Sequence, residues 1–141
     1  MIDDDRFVRR LVEISLRRIG KMDVISVASG VEGLAVIGEN LPDLILLDSI
    51  MPVMSGPETL KYILKSAATA SIPVAFLTAA SDAGAADFYR SIGAIATIRK
   101  PFIPASLVEN VEQILARRRS NAAGLADVRA AVQPEISSVA A

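Results

Sequence analysis

Five side chains carry the chemistry open to this sequence: Asp3, Asp4, Asp48, Thr78 and Lys100. Asp48 ends the apolar run Leu44-Ile45-Leu46-Leu47, and four consecutive large aliphatic residues mark a strand buried on both faces. Thr78 ends a second such run, Val74 to Leu77, and Lys100 follows a third, Ile95 to Arg99. In open α/β sheets the ligand crevice lies outside the carboxyl ends of the strands, so polar groups closing three successive strands converge on one crevice. Asp3 and Asp4 can add further carboxylate oxygens there. Carboxylates held close together repel unless a divalent cation joins them, and hard oxygen ligands with open positions suit Mg²⁺. Lys100 can pair with a carboxylate at rest and with a phosphoryl oxygen on its arrival; the Thr78 hydroxyl can donate to another. Together they fit phosphoryl transfer to a carboxylate, with a nucleophile, a charge-neutralising metal and two donors for the equatorial oxygens. Singly, each residue has a plainer reading: Asp48 as a solvated turn residue, Thr78 as an ordinary strand threonine, Lys100 as a snorkelling surface lysine.

The elements that must position these residues follow from periodicity. Phe7, Val8, Leu11, Val12, Leu16 and Ile19 fall at helical spacing from Arg6 to Ile19, with Asp5 as N-cap and Gly20 as stop. Asp23 to Ala28 alternates as a short strand, and Gly30 to Glu39 reads as a helix broken by Asn40-Leu41-Pro42. After the central strand, Pro52 and Gly56 close a loop, and a helix runs from Pro57 to Ser66. Asp82 caps a helix to Ile92, Gly93 ends it, and Ser106 caps a last helix with the stripe Leu107, Val108, Val111, Ile114 and Leu115. The cations Arg117-Arg118-Arg119 sit where that helix ends, favouring its dipole rather than forming a phosphate patch. Strands alternating with helices imply a doubly wound parallel α/β sheet with right-handed crossovers and helices on both faces. Residues 1–119 form the expected folded domain; 120–141, rich in Ala, Ser, Asn and Gly, are expected to be a mobile tail or a short helix around Leu125 to Val132.

Composition removes several function classes. The 141 residues suit one domain, and 52% hydrophobic content excludes a largely disordered chain. There is no cysteine, hence no thiolate chemistry, and no histidine, hence no imidazole base and no phosphohistidine of its own. A net charge of -1 and a pI near 5.4 give no pointer to nucleic acid. No apolar run reaches membrane-spanning length, and Met1-Ile2-Asp3-Asp4-Asp5 is the opposite of a secretion signal. A soluble cytoplasmic protein is the expectation.

At this point the sequence resembles the receiver domain of two-component response regulators, over about residues 2–118. The resemblance rests on Asp3-Asp4 after an apolar residue, Asp48 in L-I-L-L-D-S-I-M-P-V-M-S-G, Thr78-Ala79 after V-A-F-L, and Lys100-Pro101-Phe102. It implies a flavodoxin-like five-stranded sheet of order 2-1-3-4-5. Asp48 would be the phosphoacceptor. Asp4, Asp48 and the backbone carbonyl of Ile50 would ligate Mg²⁺, with Asp3 acting through water. Thr78 and Lys100 would contact the phosphoryl group, and Lys100-Pro101 would be a cis peptide.

Departures from the family pattern are visible. Only Met1 and Ile2 precede the acidic pair, where several apolar residues are usual, so the first strand is expected to be truncated. We expect a chain short by a few residues, or one that recruits a strand by dimerisation. Thr97 stands where many receivers carry Tyr or Phe. Ile50 and Ala80, two residues past Asp48 and Thr78, border the path of water to the phosphoryl group.

The resemblance implies a stand-alone switch protein rather than an enzyme, phosphorylated by a sensor histidine kinase or histidine phosphotransfer protein. Its output would be a protein contact or onward transfer to another histidine, without nucleic acid or membrane. It would be a monomer, or a dimer formed by phosphorylation or strand exchange. A haloacid dehalogenase-type phosphohydrolase is the alternative from another class, although such enzymes carry a second Asp where this chain has Ile50. A receiver-like interaction module that is never phosphorylated is the third reading.

Overall fold

The computed structural model describes residues 1–82 and 84–131. Their order is α1 (Arg6–Ile14) with a π-helical turn at Ser15–Ile19, α2 (Gly30–Asn40), β1 (Ile45–Asp48), α3 (Gly56–Lys65), β2 (Val74–Thr78), a 3₁₀ turn at Ala80–Asp82, α4 (Ala85–Ser91), β3 (Ala96–Arg99) and α5 (Pro104–Ala131). The strands form a parallel sheet of order β1-β2-β3, with Leu47 opposite Phe76 and Phe76 opposite Thr97.

The continuous apolar runs are explained by cover on both faces. Ile45, Leu47, Val74 and Phe76 pack with Ile37 of α2, Leu60 and Ile63 of α3 and Tyr89 of α4. Leu46, Ala75, Leu77 and Ile98 pack with Val12 of α1, Leu16 and Leu107, Val108, Val111 and Ile114 of α5. In β1 and β2 successive residues thus supply opposite cores, and no position is left for a polar side chain until those strands end.

Five strands were expected and three form among the described residues. Residues 23–28 make no strand; only Val27 is bridged, in parallel, to Ile2, and Ile2 is also bridged to Leu47. The cause is the short partner. With Met1-Ile2-Asp3 as the sole segment between the two edges, one residue pair forms on each side, and residues 23–26 have little to ladder against. The terminus is nonetheless anchored rather than frayed: Ile2 N donates to Leu46 O at 2.8 Å, Asp48 N to Ile2 O at 2.9 Å and Val27 N to Met1 O at 3.0 Å.

Other boundaries moved for local reasons. The Ser15 hydroxyl donates to Leu11 O, and the last turn of the first helix widens to π geometry rather than continuing to Ile19 as α-helix. Asp82 does not cap α4. Gly84, at φ +100°, holds that place in the left-handed region open to glycine, and Asp82 accepts a hydrogen bond from Tyr89 instead. Helix α5 starts at Pro104 rather than after Ser106, because proline suits a first turn. It also runs past Arg119 to Ala131, so that of the two expectations for this stretch, a mobile tail or a short helix around Leu125 to Val132, the described part is helical and continuous with α5; its alanines are strong helix formers. Arg117–Arg119 therefore lie inside the helix, and Arg118 Nη1 donates to Asp43 O at 2.7 Å. The remainder of the expected tail, 132–141, lies outside the described residues.

Candidate functional site

Asp48 is the last residue of β1 and is 7% exposed. The backbone beyond it turns sharply: Gly56, at the start of α3, lies so close that a Cβ there would sit 2.3 Å from Asp48 O and 2.7 Å from the Phe76 ring. Glycine is required by that close approach. Gly56 N donates to Ser49 O at 3.1 Å, and a capping box between Ser55 and Glu58 fixes the start of α3. The strand end is thereby held from both sides.

Asp3 is fully buried beside it. Its backbone N donates to Val27 O at 3.2 Å, its Oδ1 accepts from Asp5 N at 2.9 Å, and its backbone O accepts from Arg9 Nη1 at 2.8 Å. Asp5 caps α1 as expected, accepting from Phe7 N and Val8 N. Asp4 is exposed, and one carboxylate oxygen from each of Asp3, Asp4 and Asp48 lies within 4.8 Å of the others.

Lys100 follows β3, donates its backbone N–H to Thr78 O at 2.7 Å, and precedes a cis peptide to Pro101. Its Nζ lies 2.9 Å from Asp3 Oδ2 and 3.1 Å from Asp48 Oδ1. Among the described residues these are its two ion pairs. Thr78 ends β2, buried, next to the strand that Asp48 ends. Ile50 is exposed on the loop two residues past Asp48. The structure thus brings Asp3, Asp4, Asp48 and Lys100 into one cluster, with Thr78 joined to it through the Lys100 backbone.

The electrostatics follow from burial and like charge. Loss of solvent, then the neighbouring Asp3 charge, push the Asp48 carboxyl up to about 6 from an ordinary 3.8, although Lys100 opposes the shift. Burial alone would lower Lys100, but the hydrogen bonds and charges of Asp3 and Asp48 outweigh it and hold the ammonium above its ordinary value. The Lys100 ammonium therefore sits against two of the three clustered carboxylates. That imbalance, together with an all-oxygen donor set of suitable spacing, fits a divalent cation of the Mg²⁺ type.

Two contributors were not picked out from the sequence. Arg9 pins the Asp3 carbonyl; its position, one turn into α1 and six residues from Asp3, is the available signal. Tyr89 is buried in α4, its ring 4.5 Å from Phe76 and its hydroxyl 2.9 Å from Asp82 Oδ2. Burial, first, and the carboxylates of Asp82 and Asp48 raise its pKa, against a hydrogen bond with Ser49 that lowers it. A lone tyrosine in a helix gives no sequence signal for that role.

Comparison with known proteins bears on this geometry. A family profile described as the response regulator receiver domain matches residues 1–112. A probable transcriptional regulator ycf27 of Porphyridium aerugineum is 35% identical over 117 residues, which are 83% of this chain and 47% of that protein. The phosphate regulon transcriptional regulatory protein PhoB of Pseudomonas aeruginosa is 31% identical over 117 residues, 83% of this chain and 51% of PhoB. The chain spans about half the length of these relatives. A putative response regulator from Chloroflexus aurantiacus superposes with a TM-score of 0.75 at 36% identity, covering 82% of this chain and 93% of that one. The chemotaxis protein CheY4 of Vibrio cholerae does so with a TM-score of 0.73 at 28% identity, covering 79% and 92%.

Proposed function

The chain belongs to the response regulator receiver domain family of two-component signal transduction, and from that premise we propose that it is a phosphoacceptor switch in which Asp48 takes a phosphoryl group from a phosphohistidine. The observation that carries this reading is the Lys100 ammonium lying between the carboxylates of Asp3 and Asp48 at the end of β1. A carboxylate oxygen of Asp48 attacks phosphorus, the P–N bond to the donor imidazole breaks, and an acyl phosphate forms. Its extra charge arrives where Lys100 can release Asp48 Oδ1 and take a phosphoryl oxygen; the Thr78 hydroxyl, at the end of the adjacent strand, serves as the second donor.

Asp4 and Asp48, with the Ile50 carbonyl, would hold Mg²⁺, and Asp3 would act through water. When bound, the ion supplies neutralisation of charge on the transferring group. The close approach of the three carboxylates, two of them sharing the Lys100 ammonium, supports this assignment.

The proposed donor is a sensor histidine kinase or a histidine phosphotransfer protein, since this chain has no histidine. Exposed apolar side chains on three segments at this end of the sheet support docking of such a partner: Phe7 at the start of α1, Ile50 and Val53 after β1, and Ile103 before α5. We take residues 1–119 as the signalling unit, acting through a protein contact, with α5 continuing beyond it. No helix among the described residues is long and apolar enough to cross a membrane, and we place the switch in the cytoplasm, where two-component donors act.

The test is labelling by acetyl phosphate or a phosphohistidine donor. Wild type should gain a hydroxylamine-labile phosphoryl group in the presence of Mg²⁺, and Asp48→Asn should gain none. Labelling retained in that variant would refute the acceptor. Absence of labelling in the wild type would leave the interaction-module reading standing, and turnover of p-nitrophenyl phosphate would favour the phosphohydrolase.

A further inference from the structure

On the sheet face that α2, α3 and α4 cover, α3 packs closely along α2 but stands off from α4. The gap is an open groove of about 440 Å³. Pro57, Leu60 and Leu64 of α3 form one wall; Phe88 of α4 and Ile92, its C-cap, form the other. Helix α4 has only seven residues, and the chain just past it is drawn against α3 at Gly93. That glycine has φ +116°, and a Cβ there would sit 2.9 Å from Leu64 Cδ1. Leu60 is the buried floor of the groove, whereas Leu64 and Phe88 stay exposed on its two sides. Apolar side chains exposed together along a concave surface mark an interaction site.

The rim carries one sign of charge. Lys61 and Lys65, one helical turn apart, line the groove, and neither joins an ion pair among the described residues. Lys65 instead rests 5.7 Å from the Tyr62 ring centroid. Among the described residues no carboxylate lines the groove. Glu58, the acidic residue of α3, turns to the start of its own helix and accepts from Ser55 N. Apolar walls under two unpaired cations call for a ligand that is apolar on one face and acidic beside it.

We propose that this groove docks an acidic amphipathic helix of a partner protein. Leu60 and Leu64 on one wall, and Phe88 and Ile92 on the other, are i, i+4 pairs, so each wall presents a ridge repeating about every 6 Å along its axis. Ridges of that spacing accept the side chains of a third helix. A helix also satisfies its own backbone, and both walls here are helical, with no strand edge to offer an extended peptide. Apolar residues of the incoming helix enter between Leu64 and Phe88, and carboxylates on its flank meet Lys61 and Lys65. The α4 wall adjoins the crevice: the Phe88 and Tyr89 ring centroids are 5.5 Å apart, and Tyr89 holds Asp82 in the turn after Thr78. As the contact through which the switch gives its output, the groove rests on the phosphoacceptor reading; as a binding site it does not.

The probe is a defined peptide of about 15 residues, long enough for a marginal helix, with leucines on one face and glutamates flanking them. A control peptide carries lysine for every glutamate. Binding to the full, unphosphorylated chain in EDTA is followed by amide chemical shifts, which should move saturably at residues 60–65 and 88–92. The acidic peptide should bind about fivefold or more tighter than the basic one, and Lys61→Glu with Lys65→Glu should reverse that order, two exposed pairs becoming two repulsions. Both lysines are exposed, so their reversal leaves the fold in place. Phe88→Ala should weaken the acidic peptide about tenfold. Equal binding of the two peptides, or shifts centred outside the groove, would overturn the proposal. Groove shifts that vary with protein concentration without peptide would also overturn it, the occupant then being a second copy. So would groove shifts that change on Ile136→Ser without peptide, since residues 132–141 of this chain would then be the occupant. None of these readings uses a phosphoryl group, so failure here is separable from failure of Asp48 labelling.

Discussion

The two ends of the Met1–Asp3 segment meet opposite environments. At its carboxyl end every polar group is engaged: Asp3 alone is bonded through its backbone N, its backbone O and both carboxylate oxygens. At its amino end the Met1 amino group donates to Ile25 O beside a cleft lined by apolar side chains together with Asp23, Asn40, Asp43 and Arg119. One residue, Ile2, separates the two, bridged to Val27 on one side and Leu47 on the other. Precision in this fold is thus concentrated at the crevice, where charge has to be placed.

The largest expected effect comes from removing the residue both ends share. Ile2 is 2% exposed and packs its Cδ1 where a Cβ on Gly33 would lie. Ile2→Ala should destabilise by about 2–5 kcal/mol, measured by urea denaturation, and should weaken Mg²⁺ binding because Asp3 and Asp4 follow directly. A loss under about 1 kcal/mol would mean that the cleft already extends under Ile2 and that the two ends are not separately built.

Next in size is the site's cation. Lys100→Met removes the ammonium that pairs with both Asp3 and Asp48. Breaking a buried pair costs about 3–5 kcal/mol; with the Lys100 side chain 22% exposed, solvent relieves part of it, and about 2–3 kcal/mol is expected in EDTA. Saturating Mg²⁺ should restore much of that loss in a thermal melt, because it neutralises the same carboxylates. A Mg²⁺-independent loss would detach the lysine from the metal argument.

This contrast also marks what was legible in the sequence. The helices and the strands ending at Asp48, Thr78 and Arg99 could be read because each is a local apolar pattern with a stop signal. The cluster could be read because its members terminate those patterns. What escaped was non-local. Whether residues 23–28 form a strand depends on a partner some twenty residues away, and alternation alone cannot supply one. The displaced cap at Gly84 reflects Tyr89 claiming Asp82 across two turns, and the length of α5 reflects alanine content in a stretch whose lack of periodicity suggested a tail.

The titration of Asp48 sharpens the comparison from the side of charge. Its carboxyl is raised to about 6 by burial and by Asp3, so the folded chain holds that proton more tightly than the unfolded chain. The stability this contributes is full below about pH 4 and is lost as pH rises to about 6, the unfolded state releasing its proton first. Asp48→Asn should flatten that decline and, without divalent cation at pH 7, stabilise the protein by about 1–2 kcal/mol, less than two pKa units would give because the Lys100 contact weakens too. Melting curves from pH 4 to 8 in EDTA would show it; a variant less stable than wild type throughout would mean that ionised Asp48 is a net stabiliser.

The smallest effect is expected at Tyr89, which belongs to the crevice end but holds no charge there. Tyr89→Phe keeps the ring against Phe76, 4.5 Å between centroids, and removes the hydroxyl that donates to Asp82. A hydrogen bond to a charged acceptor contributes about 1.5–3 kcal/mol when both partners are buried. Asp82 is only half-buried, so water can replace the donor, and the loss should stay below about 1 kcal/mol. The change should instead concentrate in the turn that Asp82 closes: amide exchange at Ala79–Asp82 should quicken while the Asp48 and Ile2 amides hold their protection. Exchange that quickens equally at all of these positions would show that Tyr89 supports the whole crevice, and the distinction between a tightly determined end and a tolerant one would then have to be redrawn around it.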